Sequence, residues 1–187
     1  MTSSNNRAST GGAKRYLVVI DMQHAFHQSG EWHVPRYDEA ARNIAALSDS
    51  GLDPILTRFV PDPTENGSWS SYYDRWQSMR LDPADPIWNI ALPDVEVHGS
   101  IDLPTFSKWG EKLAERIPVG EEVVLTGVAT DCCILATALG AADAGRFVTV
   151  VEDACAGQSD AAHQQALNLL ELLSPMIRVV KSDSLLA

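Results

Sequence analysis

The chain of 187 residues is short of several things, and each shortage closes off a class of protein. It has three cysteines, two of them adjacent, which cannot make an ordinary disulfide framework and which agree with a reducing compartment. No Cys-x-x-Cys pair and no His-Glu-x-x-His spacing occurs, so a structural zinc site is not expected. No apolar run is long enough to cross a bilayer. Basic residues are also scarce: 14 Lys and Arg stand against 25 Asp and Glu, a formal charge of −11. Such a surface repels phosphate backbones and anionic lipid, so neither nucleic acid nor a membrane is an expected partner. Residues 1–14 (MTSSNNRASTGGAK) contain no apolar block of signal-peptide length. They read as a disordered tail on a cytoplasmic protein, with residues 15–187 as one domain.

What is present is a regular alternation of strand and helix signals. With 45% hydrophobic residues the chain can bury a full core in a single α/β domain. Tyr16–Ile20 (YLVVI) is an unbroken β-branched run, the mark of a strand buried on both faces of a parallel sheet, and it ends at Asp21. Apolar residues at Tyr37, Ala40, Ala41, Ile44, Ala45 and Leu47 keep helical spacing up to Gly51. Pro54–Phe59, Val95–His98, Val123–Leu125, Phe147–Val151 and Ile177–Val180 read as further strands. Lys112–Ile117 reads as a short helix. Another helix follows a cap at Ser159 or Asp160, its apolar face running Ala162, Ala166, Leu169, Leu170, Leu173. Six strands alternate with helices, and nothing marks a second domain.

The most informative stretch is Glu122–Gly145. A buried strand is broken at Gly127, and Cys132–Gly145 follows as an Ala- and Leu-rich segment of helical length. Asp131, Cys132 and Cys133 therefore stand at a strand-to-helix turn, where the first backbone N–H groups lack intrahelical partners. Those donors favour an anion there, which lowers a thiol's pKa and offers a cradle for an oxyanion. Buried packing is the plainer use of two cysteines at such a place.

Elsewhere, Asp21 is delivered to the C-terminal edge of a central strand, where open α/β sheets place their ligand crevices. Lys108 lies between Phe106 and Trp109 and is a candidate for partial burial. Between Val60 and Pro93 the periodicity dissolves into Pro-, Ser- and Asp-rich sequence carrying Trp69, Tyr72, Tyr73, Trp76 and Trp88. A segment of that length is a functional loop or lid, and its aromatics serve either to wall a pocket or to bury against another subunit. Arg58 leaves a central strand at the same edge, and its planar fork suits a substrate carboxylate, though it could equally pair with one of the chain's many acids.

Three of these features together resemble the isochorismatase-like cysteine hydrolases, a family that includes nicotinamidases and N-carbamoylsarcosine amidases. They are Val18-Val19-Ile20-Asp21-Met22-Gln23 followed by Phe26, then Lys108, then Gly127-Val128-Ala129-Thr130-Asp131-Cys132-Cys133. The likeness runs from Tyr16 to Val180. It implies a three-layer α/β/α Rossmann-like sandwich with a six-stranded, mainly parallel sheet of order 3-2-1-4-5-6. It implies Cys133 as nucleophile, Asp21 as general base and Lys108 as electrostatic support, with Cys132 at the variable motif position. A cis peptide is implied at Val128–Ala129, and the N–H groups of Ala129 and Cys133 as the oxyanion hole. The expected activity is cleavage of a C–N bond in a small amide, carbamoyl or ureido compound, acidic ones included, held by Gln23, Phe26, Arg58, Trp69, Tyr73 and Trp109. Isochorismatase-type vinyl-ether hydrolysis and a non-catalytic interaction domain on the same scaffold are the alternatives. Family members are often dimers or tetramers, so a homo-oligomer is expected. Nicotinamidases carry an Asp-x-His and a further histidine after strand two as a metal site. Thr57-Arg58-Phe59-Val60-Pro61-Asp62 supplies none, and His24, His27, His33, His98 and His163 do not fit, so no metal or cofactor is expected.

Overall fold

The structure, a computed structural model, describes residues 13–186. The expectation of a disordered tail over residues 1–14 lies almost wholly outside them. Of the two that fall inside, Lys14 is tied to the chain ahead of the fourth strand. Its N–H donates to the Glu121 carboxylate, and its carbonyl accepts the Glu122 N–H at 3.0 Å.

Six strands form one sheet: β1 (Arg15–Ile20), β2 (Pro54–Phe59), β3 (Ile101–Leu103), β4 (Glu122–Val128), β5 (Phe147–Ala156) and β6 (Ile177–Val180). Their order is β3-β2-β1-β4-β5-β6, and every pair is parallel. Seven α-helices accompany them among the described residues: α1 (His24–His27), α2 (Tyr37–Asp49), α3 (Ser68–Arg75), α4 (Glu111–Arg116), α5 (Leu135–Asp143), α6 (Asp160–Glu171) and α7 (Asp183–Leu186). None of them is long and apolar enough to cross a membrane.

The layering follows from the two-residue period of the strands. Leu17 and Val19 of β1 join Ala40, Ile44 and Leu47 of α2 in one core, whereas Val18 and Ile20 join Leu113, Ala138, Leu167 and Leu170 in the other. Every residue of β4 is buried, as a central strand covered by helices on both faces requires.

Three expectations needed correction. The third strand is not Val95–His98 but the three residues Ile101–Leu103, which pair with Thr57, Arg58 and Phe59. A strand so short is fixed by its neighbour's free edge and leaves no alternation to read. Strand β5 does not end at Val151, where the strand signal stopped, but continues to Ala156. On α6 the buried residues are Ala166, Leu167 and Leu170, while Leu169 and Leu173 are exposed. Ser159 caps that helix, its hydroxyl accepting the Ala162 N–H at 3.2 Å.

The reversal of strand order falls between β1 and β4, and there the two strands come unusually close. A Cβ on Gly127 would lie 2.1 Å from the Ile20 carbonyl oxygen, and its φ of +108° is one that side chains rarely adopt. Glycine is therefore required on both counts at the point where β4 shifts register against β5.

Candidate active site

At the end of β1 the backbone of Asp21 takes a φ of 51°, a state that costs about 1 kcal/mol or more in a residue other than glycine. Thr57 of β2 donates its hydroxyl to Asp21 Oδ1 at 3.0 Å. The Lys108 ammonium approaches Oδ2 at 3.1 Å, and both side chains are wholly withdrawn from solvent. Lys108 Nζ also donates to the carbonyls of Thr105 at 2.6 Å and Leu103 at 3.4 Å, and lies 4.9 Å from the centre of the Phe59 ring. Its own N–H donates to Thr137 Oγ1 on α5 at 2.8 Å, so the segment before α4 is fastened to the helix that follows the cysteines.

Those cysteines sit on a single wide turn, Thr130–Ile134, between β4 and α5. It is wound with i to i+5 hydrogen bonds, and the Ala129 carbonyl accepts the N–H groups of both Cys132 and Ile134 at 3.1 Å. The Val128–Ala129 peptide ahead of it is cis. Cys133 is 3% exposed, and its thiol is near enough to Asp21 to draw that carboxyl's pKa down. Asp21, from the end of β1, thus meets Lys108 and Cys133, both far along the chain from it, at the switch point of the sheet.

The electrostatics differ from a resting thiolate. Hydrogen bonding with the Cys132 side chain, burial and the neighbouring Asp21 charge push the Cys133 thiol well above its ordinary value, against the pull of Lys108. Burial likewise raises the Asp21 carboxyl, although Lys108, Cys133 and Thr57 each draw it down. In the free protein the sulfur therefore keeps its proton, and the adjacent carboxylate is more basic than one in water.

Cys133 opens onto a cavity of about 140 Å³. It is lined by the apolar and aromatic residues Phe26, Trp32, Val34, Phe59, Tyr72, Trp76 and Phe106 and by Ala129, Asp131, Cys132, Cys133 and Gln158. Among the described residues, two buried side-chain polar atoms lack a well-aligned hydrogen bond, Asp21 Oδ2 and Trp32 Nε1. Both belong to this site.

Of the residues expected to hold substrate, Phe26 lines the cavity and the others do not. Gln23 is fully buried and structural: its amide donates to the carbonyls of Phe59 at 2.9 Å and Trp88 at 2.6 Å and accepts the Phe59 N–H at 2.8 Å. Arg58 pairs with Asp102, its register partner on β3, through two hydrogen bonds of 2.9 and 2.6 Å. Trp69 packs behind the wall on Phe59 and Phe106, with Tyr73 buried beside it. Trp109 lies under the Arg146 guanidinium, 4.9 Å away. Trp32 and Phe59 were not expected at the site, whereas Tyr72 and Trp76 stood among the loop aromatics expected either to wall a pocket or to meet another subunit. On α3 the signal was present but ambiguous, because Trp69 and Tyr73, like Tyr72 and Trp76, are spaced i, i+4.

A doubly wound parallel sheet with a buried thiol, carboxylate and ammonium gathered at its switch point belongs to the α/β enzymes. Comparison with known proteins narrows this. The isochorismatase domain profile matches residues 15–182, and the chain belongs to the isochorismatase family of hydrolases. Isochorismatase domain-containing protein 2 of Xenopus laevis is 26% identical over 168 residues, which span 90% of this chain and 73% of that protein. Among solved structures, a cysteine hydrolase from Pseudomonas syringae pv. phaseolicola 1448A superposes with a TM-score of 0.76 at 16% identity, covering 92% of this chain and 90% of the other. An N-carbamoylsarcosine amidase from Thermoplasma acidophilum gives 0.69 at 22% identity, covering 91% and 97%.

Proposed function

We propose that this protein is a cysteine hydrolase that cleaves the C–N bond of a compact amide, carbamoyl or ureido compound through an acyl-enzyme on Cys133. The observation that carries this reading is a buried carboxylate paired to a buried ammonium at 3.1 Å, with the Cys133 thiol near enough to draw the carboxyl's pKa down. The names of the two structural neighbours, a cysteine hydrolase and a carbamoyl amidase, point the same way.

The chemistry follows from the protonation states. As sulfur attacks the carbonyl carbon, its proton passes to Asp21, whose Oδ2 has no aligned donor and whose raised pKa suits a general base. The oxyanion is received by the N–H groups of Ala129 and Cys133. The same proton then goes to the departing nitrogen as the C–N bond breaks, leaving a thioester. Water, deprotonated by Asp21, releases the acid and restores the thiol. Lys108, 3.1 Å from Asp21 Oδ2, offsets the carboxylate's charge while Asp21 gains and then gives up the proton.

The cavity limits the substrate. Its volume of about 140 Å³ matches a space that holds roughly one six-membered ring, as cavities of about 150 Å³ do. Asp131 is the one charged side chain among its lining residues, and no Lys, Arg or His is there. An uncharged compound fits this lining better than the acidic one anticipated from Arg58. Trp32 lines the same cavity, and its buried indole N–H has no acceptor; we assign that donor to a substrate acceptor. The direct test is a panel of small amides, N-carbamoyl and ureido compounds and isochorismate, with intact-mass capture of the intermediate. Turnover with an adduct on Cys133, lost in Cys133→Ala, is the expected result; turnover that survives Cys133→Ala rejects the reading and restores the vinyl-ether alternative.

A further inference from the structure

The turn that carries Cys133 has two sides, and the reaction uses only one. The other rests on the start of α6. Thr130, fully buried, shares a 2.8 Å hydrogen bond between its hydroxyl and Nδ1 of His163. Next to it, Asp131 Oδ1 accepts the Gln158 N–H at 2.9 Å. The fit is tight enough that a Cβ on Gly157 would lie 2.6 Å from Asp131 Oδ1 and 3.0 Å from His163 Cβ. His163 does not line the aromatic cavity. It borders a separate polar cleft of about 340 Å³ together with Arg36, Glu152, Asp160 and Lys181. Whatever it contributes, it contributes through Thr130.

We infer that His163 is a positioning residue for the hydrolysis, holding through Thr130 the peptide at Ala129 whose N–H receives the oxyanion. Thr130 directly follows Ala129, and its side chain finds no other protein partner among the described residues. Without the imidazole the turn keeps its packing against β4 but loses the bond that fixes its first residue. Oxyanion donors act through placement, so a shift of about 1 Å there is enough to lower a rate by about 100-fold. Burial holds His163 below its ordinary pKa, against the nearby charges of Glu152, Asp160 and Asp131. The ring is thus neutral at pH 7.

The inference rests on Cys133 being the nucleophile, and the experiment separates the two. Acetylation of Cys133 by p-nitrophenyl acetate passes through a tetrahedral oxyanion, whereas alkylation by iodoacetamide needs only the sulfur. Both products are read at Cys133 by peptide mass mapping. In His163→Ala, acetylation is expected to slow about 10- to 100-fold while alkylation stays within about twofold of wild type, since no donor serves it. Thr130→Val, which removes one hydroxyl at nearly constant volume, is expected to reproduce this split, and the double variant to be no slower than either single one. His163→Asn, whose amide reaches where Nδ1 stood, is expected to restore most of the acetylation rate. Unchanged acetylation in His163→Ala overturns the inference, and so does a parallel loss of both reactions or an additive double variant. Where His163→Ala does not fold, Thr130→Val carries the same two outcomes. Acetylation of wild type at a residue other than Cys133 sinks the parent reading instead.

Discussion

Lys108 and Asp21 face each other at 3.1 Å with no part of either side chain exposed to solvent. Such a pair contributes little net stability when intact, yet breaking it leaves one buried charge without its partner, at about 3–5 kcal/mol. Lys108→Met is expected to lower the urea midpoint by an amount in that range and to abolish turnover. Adding Asp21→Asn removes the stranded carboxylate, so the double variant is expected to recover much of the stability and none of the activity. If the double variant is less stable than Lys108→Met, the pairing is not what joins these two side chains energetically.

The ion pair between Arg58 and Asp102 has a different character. Its side chains keep 26% and 38% of their exposure, so solvent screens the attraction and its worth is about 0–1 kcal/mol. Because alternate residues of a strand face opposite ways, Arg58 points away from the side on which Thr57 meets Asp21 and Phe59 lines the cavity. Arg58→Ala is expected to change the Michaelis constant for any substrate by less than twofold and to shift the denaturation midpoint slightly. A marked loss confined to acidic substrates would return Arg58 to the site.

These cases also show what the residues alone made legible. The switch-point geometry was readable because the apolar runs Tyr16–Ile20 and Val123–Leu125 lead into chemistry-bearing residues, Asp21 in one case and the turn through Cys133 in the other. The pocket was not. Tyr72 and Tyr73 differ by one position, hence by about 100° around α3, and only packing decides which one meets the cavity. Likewise nothing in the sequence pairs Arg58 with Asp102, because that register depends on a three-residue strand. His163 failed every metal pattern, and its bond to Thr130 appears only once α6 is laid against the turn.

Acid stability has a local source at the opposite end of the sheet. Glu122 begins β4 almost buried, accepting from Thr149 at 2.6 Å and Arg178 at 2.7 Å, with Arg15 at 3.3 Å. Burial raises its pKa, but the bonds from Thr149 and Arg178 and the charges of Arg178 and Arg15 outweigh this and leave it below the ordinary 4.5. A carboxylate with a depressed folded pKa binds fewer protons folded than unfolded, so its contribution is complete above about pH 4.5 and fades as pH falls through the folded value. Urea midpoints measured from pH 7 to pH 3 are expected to decline less steeply in Glu122→Gln than in wild type. Equal slopes would mean the carboxylate is not depressed.

Thiol reactivity tests the resting state of the nucleophile. The largest influence raising the Cys133 pKa is its hydrogen bond with the Cys132 side chain. Removing that sulfur takes away a partner of the protonated form, so the pKa falls. In Cys132→Ala the rate of iodoacetamide alkylation at Cys133 is expected to reach half its plateau at a lower pH than in wild type. An unchanged or higher half-point would show that burial and Asp21 set the value without Cys132.

Trp32 separates stability from function most sharply. Its indole N–H is buried with no acceptor, while its ring packs on Phe26, Phe59, Tyr72 and Trp88 at centroid distances of 5.5 to 6.0 Å. An orphaned buried donor is a standing penalty of about 1–3 kcal/mol in the free protein, and sites that carry such penalties are commonly those that need the group for a ligand. Trp32→Phe keeps an aromatic wall and deletes the donor. It is therefore expected to leave the melting temperature unchanged or raised, since the lost ring contacts are offset by the vanished penalty. Against the best substrate of the panel, kcat/KM is expected to fall about 3- to 10-fold, the effect of one neutral hydrogen bond of about 0.5–1.5 kcal/mol. The two measurements must move in opposite directions. A variant that loses stability and specificity constant together would make Trp32 a packing residue, and the substrate acceptor assigned to its N–H would have to be met elsewhere in the cavity.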